Sequence, residues 1–267
     1  MTYSANGAPS RRILNCIPSR DTERDWLPRA AFEADLLRET PAAAAPNKVD
    51  LREPWWPIGN QLDTGSCVGW ATADSVLRRC FVAAGKLAQD DRLSVRYIWM
   101  ASKETDQYVS QPTTFIEEAG TSLKAALDIA RKFGAVRESE LPFNGQLYPG
   151  TTAGFYARAA QLRIAYFNLG RNPEEWRRWL ASDGGPILVR LDVDRTWDEA
   201  GDTDGKLDVY KTETRRGGHA VAIVGYTTDR RFIIRNSWGT DWGREGYGYA
   251  SEEYATQAFT EAYGVRV

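Results

Sequence analysis

Apolar residues recur at helical spacing through the first half of this chain and at strand spacing through the second. Cys67 to Ala84 has few breakers, with Gly65-Ser66 before it and Gly85 after it, and reads as a helix. Leu93 to Lys103 reads as a second. Across Ser122 to Phe133, residues Leu123, Ala126, Leu127 and Ala130 follow the i, i+3, i+4, i+7 pattern, and Gly134 ends the run. Asn172-Pro173-Glu174-Glu175 opens a fourth helix, with Asn as cap, Pro at the first helical position and Glu at the capping-box position. Short segments rich in β-branched and aromatic residues follow: Pro186 to Val193, Ala220 to Tyr226, Arg231 to Arg235, Gly246 to Ala250 and Tyr263 to Val267. Helices first and strands afterwards predict an α+β fold with segregated lobes.

Residues 1 to 48 break this pattern. They hold Pro9, Pro18, Pro28, Pro41 and Pro46, the run Ala42-Ala43-Ala44-Ala45, and scattered apolar points at Ile13, Leu14, Ile17, Trp26, Leu27 and Phe32. This composition predicts an extension without a core of its own, able to dock on the rest. Ten tryptophans and twelve tyrosines point to aromatic packing or a groove lined with rings. A net charge of -2 gives no reason to expect nucleic acid or an anionic membrane as partner. The apolar stretches are strand-sized, so no membrane span is predicted. Met1 to Arg12 has no apolar core of signal-peptide length. Cys16, Cys67 and Cys80 are odd in number and lack metal-ligand spacing, so neither a disulfide framework nor a metal site is predicted. A cytoplasmic and a leaderless-secreted location both fit.

His219 is the only histidine in the chain, and imidazole alone has an unperturbed pKa in the physiological range. By itself it reads as a polar residue satisfied at a strand edge. Cys67 changes the picture, because it follows Gly-Ser and opens a helix, where unpaired N–H groups and the helix dipole favour a thiolate. Six residues earlier, Gln61 offers an amide that, with the Cys67 backbone N–H, suits an oxyanion formed by attack on a carbonyl. Asn236 has a carboxamide suited to hold one imidazole nitrogen and turn the other toward sulfur. Taken singly, Gln61 and Asn236 read as turn residues. Cys80 reads as core, and Cys16 has no visible partner.

Together these segments resemble the papain-like cysteine peptidases, clan CA, family C1. The matching pieces are Gln61, Gly65-Ser66-Cys67 at a helix start, His219 before a strand, and Asn236-Ser237-Trp238-Gly239 followed by Trp242-Gly243 and Gly246-Tyr247-Gly248. The resemblance implies a two-lobe fold with the active site in the cleft: a helical left lobe over about 49 to 150, and an antiparallel β-barrel-like right lobe over about 151 to 267. It implies Cys67 as nucleophile, His219 as base and later acid, Asn236 as orienter and Gln61 as oxyanion donor. Trp238 would cover the His219–Asn236 hydrogen bond, and Trp242 would line the leaving-group side. Gly120 and Gly218 would contact substrate along the cleft wall. No metal or cofactor enters this chemistry.

Thr64 stands where family members carry a disulfide cysteine, and Val68 where a tryptophan usually follows the nucleophile. The missing cysteine suits a disulfide-free bacterial form of the fold. Family pro-segments often form a larger helical domain, so residues 1 to 48 are expected to act as a short inhibitory strap across the cleft. The expected protein is a monomeric cysteine endopeptidase, made as a zymogen, that cleaves polypeptides through a thiolate–imidazolium pair and an acyl-enzyme. The alternatives are an acyl-transfer enzyme or exopeptidase, and a catalytically silent member that binds peptides in the same groove. Asp202 to Asp208 has the look of a calcium loop, but its frame puts Ala200 and Lys211 at ligand positions, so a polar turn is expected.

Overall fold

Short polar side chains that accept a hydrogen bond from an exposed first turn set most helix starts. The computed structural model describes residues 12–37, 46–111 and 113–267. Residues 1–11 and the alanine run at 42–45, with Pro41, lie outside the described residues. The N-terminal segment contributes α1 (Pro28–Glu33). The Cys67 helix then runs through α2 (Cys67–Gly69), a wider π-wound stretch (Trp70–Leu77) and α3 (Arg78–Ala83). Ser94, Ser122, Thr151, Asn172 and Ser251 cap, in turn, α4 (Val95–Thr105), α5 (Leu123–Lys132), α6 (Thr152–Ala159), α7 (Pro173–Ala181) and α8 (Glu252–Ala258). The capping box expected at α7 does not close. Asn172 Oδ1 accepts from Glu174 N at 3.0 Å, but Glu175 turns to Arg178 instead of reaching back to the cap.

The strands are β1 (Val49–Asp50), β2 (Ala165–Asn168), β3 (Ile187–Val193), β4 (Lys206–Leu207), β5 (Gly217–Tyr226), β6 (Phe232–Arg235), β7 (Tyr247–Ala250) and β8 (Phe259–Arg266). They form one sheet in the order β2-β8-β3-β5-β6-β7-β4, with β1 added on β5. All pairings are antiparallel except β4 with β7. The end strands β2 and β4 do not pair with each other, so the sheet is open and the barrel-like closure is not formed.

Alternation along the central strands sends their side chains to two layers. Leu188, Ala220, Ala222, Val224 and Ile233 pack on the side of the Cys67 helix and α5. Val189, Leu191, Val221, Ile223 and Ile234 pack against Trp176 and Trp179 of α7 and Tyr254 of α8. With both faces covered, β5 needs apolar residues throughout, which is why the run after His219 is unbroken. Two segments cross the expected division of the lobes: β1 joins the sheet, and α6 packs on the helical side, Phe155 edge-on to Tyr97.

The N-terminal segment is tied to both halves. Asp25 binds Lys124 Nζ of α5 and accepts from Tyr263 OH of β8 at 2.9 Å. Cys16, Ala31 and Leu37 are buried, whereas Trp26 and Leu27, two of the expected anchors, stay exposed.

Candidate active site

Cys67 is the first residue of its helix, with no exposed surface, and its sulfur meets the His219 imidazole. β5 brings His219 there through two glycines whose missing side chains leave room for the chain segment opposite. Hydrogen-bonding contact with Cys16 and with His219, together with the Ala220 N–H, holds the Cys67 thiol well below its ordinary value, against the opposing effect of burial.

His219 Nε2 lies 2.8 Å from Asn236 Oδ1. The same oxygen accepts from Ser237 N at 2.8 Å, which fixes the carboxamide with its oxygen toward the ring. Among the described residues Nδ1 has no conventional hydrogen-bond partner and is left for the sulfur. Trp238 lies over the imidazole, centroids 4.9 Å apart, and is itself buried. Water is thereby kept from the His219–Asn236 bond, where low polarity strengthens it.

Gln61 is fully buried beside this group. Its Oε1 accepts from Ser237 Oγ at 2.9 Å and its Nε2 donates to Thr64 O at 3.1 Å. The oxygen is therefore turned away and the amide protons face the turn that leads into Cys67. One of those protons remains for a substrate oxygen. Thiol, imidazole, carboxamide and amide donor thus converge at the junction of the Cys67 helix and the open sheet. That constellation suits nucleophilic attack on a carbonyl.

A family-wide comparison matches residues 45–263 to "Papain family cysteine protease". The chain belongs to the papain family of cysteine proteases. It is 26% identical to a "Cathepsin L-like proteinase" of Fasciola hepatica over 216 residues, 76% of this chain and 60% of that protein. The chain thus spans about three-fifths of the length of that curated relative. Among solved structures it is similar to xylellain, a cysteine protease from Xylella fastidiosa. The TM-score is 0.76 at 23% identity, over 97% of this chain and 98% of the other. It is also similar to digestive procathepsin L 3 of the Tenebrio molitor larval midgut, with a TM-score of 0.60 at 17% identity, covering 86% and 72%.

In this papain-family chain the cleft is filled by its own N-terminal segment. Arg12 donates to Trp238 O at 3.2 Å and lies over the Trp238 ring. Asn15 donates to Glu118 O, Cys16 N to Gly218 O at 3.0 Å, and Ile17 N to Thr121 O at 3.0 Å. Gly120 and Gly218, the expected substrate contacts, are both pressed by this segment. A side-chain carbon on Gly120 would sit 2.1 Å from Asn15 O, and one on Gly218 2.3 Å from Cys16 O. Trp242 does not touch His219 among the stacked rings; it stacks on Trp197 at 4.7 Å.

Several residues of the site escape sequence reading. Trp197, on the turn after β3, stands edge-on to His219 with ring centroids 5.5 Å apart and completes an aromatic cage with Trp238 and Trp242. No local pattern marks it. Asp74 of the π-wound stretch binds Arg235, the residue before Asn236, at 2.8 Å, with both side chains buried. A charged residue at the end of an apolar strand was the available signal for Arg235. No helix among the described residues is long and apolar enough to cross a membrane, and no group of His, Cys, Asp or Glu among them is arranged to hold a metal.

Proposed function

We propose that the chain is a cysteine endopeptidase held latent by its own N-terminal segment. The observation that carries this reading is the line Cys67–His219–Asn236, with Gln61 beside it, lying under residues 12 to 19. Cys67 is the nucleophile. His219 takes its proton and returns one to the leaving amine, Asn236 keeps the ring in line, and Gln61 with the Cys67 N–H receives the oxyanion. Water then releases the acyl group.

The path of the strap supports cleavage within chains rather than at their ends. Arg12 lies on the Trp238 side of Cys67, and Ile17 on the Thr121 side. A continuous polypeptide therefore fits on both sides of the sulfur, with Gly120, Gly218 and Trp242 along its course. The strap itself escapes cleavage because it presents the wrong atoms. The Cys16 carbonyl is engaged by Arg190 Nε at 3.0 Å, not by Gln61, and the Cys16 thiol lies against Cys67. Xylellain and the procathepsin L 3 of Tenebrio molitor are fold neighbours, and the latter is a proenzyme by name.

Releasing the strap is expected to raise activity. Asp25→Asn removes a buried charge that holds the segment to Lys124 and Tyr263. Charged hydrogen bonds of this kind contribute about 1.5–3 kcal/mol, so turnover of a fluorogenic peptide should rise about tenfold or more. A chain starting near residue 47 should show the same gain. Equal activity of full-length, Asp25→Asn and shortened proteins would sink the strap.

A further inference from the structure

Among the described residues, Cys16 is a chemically reactive group in the cleft that the peptidase mechanism does not use. It is buried at 2% exposure. Its backbone is fixed on both sides, by the Gly218 carbonyl and by Arg190 Nε. Ile17 is fixed in turn by Thr121. These bonds hold Cys16 beside His219, its side chain is buried in the same cluster as that of Cys67, and the two thiols interact directly. Both are free in this state of the protein. Cys80, the third thiol, lies elsewhere, beside Gly185.

We propose that Cys16 and Cys67 form an oxidative pair, in which Cys16 is the resolving thiol and the resulting disulfide fastens the strap across the cleft. The proposal rests on the reading of Cys67 as a thiolate nucleophile. Burial and the contact with Cys67 push the Cys16 thiol well up, while Cys67 is held down. The two thiols are shifted in opposite directions, which gives the two sulfurs different roles. The oxidant is a peroxide. The Cys67 thiolate attacks one peroxide oxygen, the O–O bond breaks, hydroxide leaves, and Cys67 becomes a sulfenic acid. The Cys16 sulfur then attacks the Cys67 sulfur. An S–S bond forms, the S–O bond breaks, and the departing oxygen takes the Cys16 proton to leave as water. A small dithiol reverses the step by exchange and is itself oxidised.

Such pairing would do two things. It would turn a non-covalent strap into a covalent one, and it would stop the nucleophile short of the irreversible sulfinic state. The test uses full-length protein treated with hydrogen peroxide, then unfolded in urea, blocked with iodoacetamide and digested with trypsin without reduction. Mass spectrometry should find peptide 13–20 joined to peptide 53–78, with Cys80 carrying the alkyl group. In Cys16→Ser, the same dose should carry Cys67 to sulfinic acid, and dithiothreitol should recover less than about a tenth of the Cys67 thiol that it recovers in the wild type. The proposal is overturned if Cys67 oxidises without the joined peptide, or if Cys67 of Cys16→Ser recovers as fully as that of the wild type. The readout is a mass, not a turnover. A joined peptide in a protein that hydrolyses nothing would count against the peptidase reading alone.

Discussion

Replacing His219 with alanine is expected to lower kcat/KM for a fluorogenic peptide by about 10⁴-fold or more, measured in the Asp25→Asn background. The size follows from having one imidazole. No second histidine exists to substitute, and the Cys67 thiol loses the contact that draws off its proton. Asn236 cannot replace the base, since a carboxamide does not titrate, and Gln61 is tied to Ser237 and Thr64. The fold should survive. His219 sits among Trp197 and Trp238, which keep their own contact at 5.3 Å, and Asn236 Oδ1 keeps the Ser237 N–H. The alanine variant should therefore show the circular dichroism of the parent and a cooperative melt. Activity within tenfold of the parent would contradict the assignment.

Asp74→Asn should have the largest effect on stability. Asp74 is the one acid facing three guanidiniums: Arg235 at 2.8 Å, Arg92 at 3.1 Å and Arg78 at 3.5 Å. Arg78 and Arg235 are buried, with side-chain exposures of 3% and 0%. Removing the acid strands two buried cations close together, whereas removing Arg235 leaves Asp74 two other partners. Breaking a buried pair from one side costs about 3–5 kcal/mol. Asp74→Asn, which preserves shape, should therefore lose about that much in urea unfolding, and Arg235→Met clearly less. The pair also fixes the segment before Asn236 to the helix that starts at Cys67. What remains folded of Asp74→Asn should accordingly turn over more slowly. A loss below about 1 kcal/mol would remove the pair from the account.

The residues proposed as catalytic stand out in the sequence because each sits in a local setting that chemistry reads directly. A cysteine after Gly-Ser at a helix start, a lone histidine ahead of a strand and the Asn236-Ser237-Trp238-Gly239 segment need no tertiary knowledge. The central helices and strands were legible for the same reason, through caps such as Ser122 and the continuous apolar run of β5. The two-sided burial of that run, and hence the open sheet between two helical layers, was not. A run of apolar residues does not say which layers cover it. α6 and β2 carry weak patterns and take their form from packing. Ser251 with Glu252 and Glu253 does signal α8, a cap followed by acidic residues in the first turn. Cys16 was illegible because its meaning depends on where the strap lies. Backbone bonds to Gly218 and Thr121 place it, and backbone bonds leave no mark in the sequence. Asp74 and Arg235 are far apart along the chain, and only the fold brings them together.

The central claim is that Cys67 is an activated nucleophile beneath a removable strap. Iodoacetamide labelling at about pH 6, followed peptide by peptide, tests it most directly, because an ordinary thiol is almost fully protonated there. Cys80 is the internal reference, since burial pushes its thiol up to about 12. The account predicts that Cys67 of the Asp25→Asn protein is labelled far ahead of Cys80. Hydrolysis should fall in proportion to that label, and the full-length parent should label slowly. Labelling of Cys80 as fast as Cys67, or hydrolysis that survives complete labelling of Cys67, would contradict it.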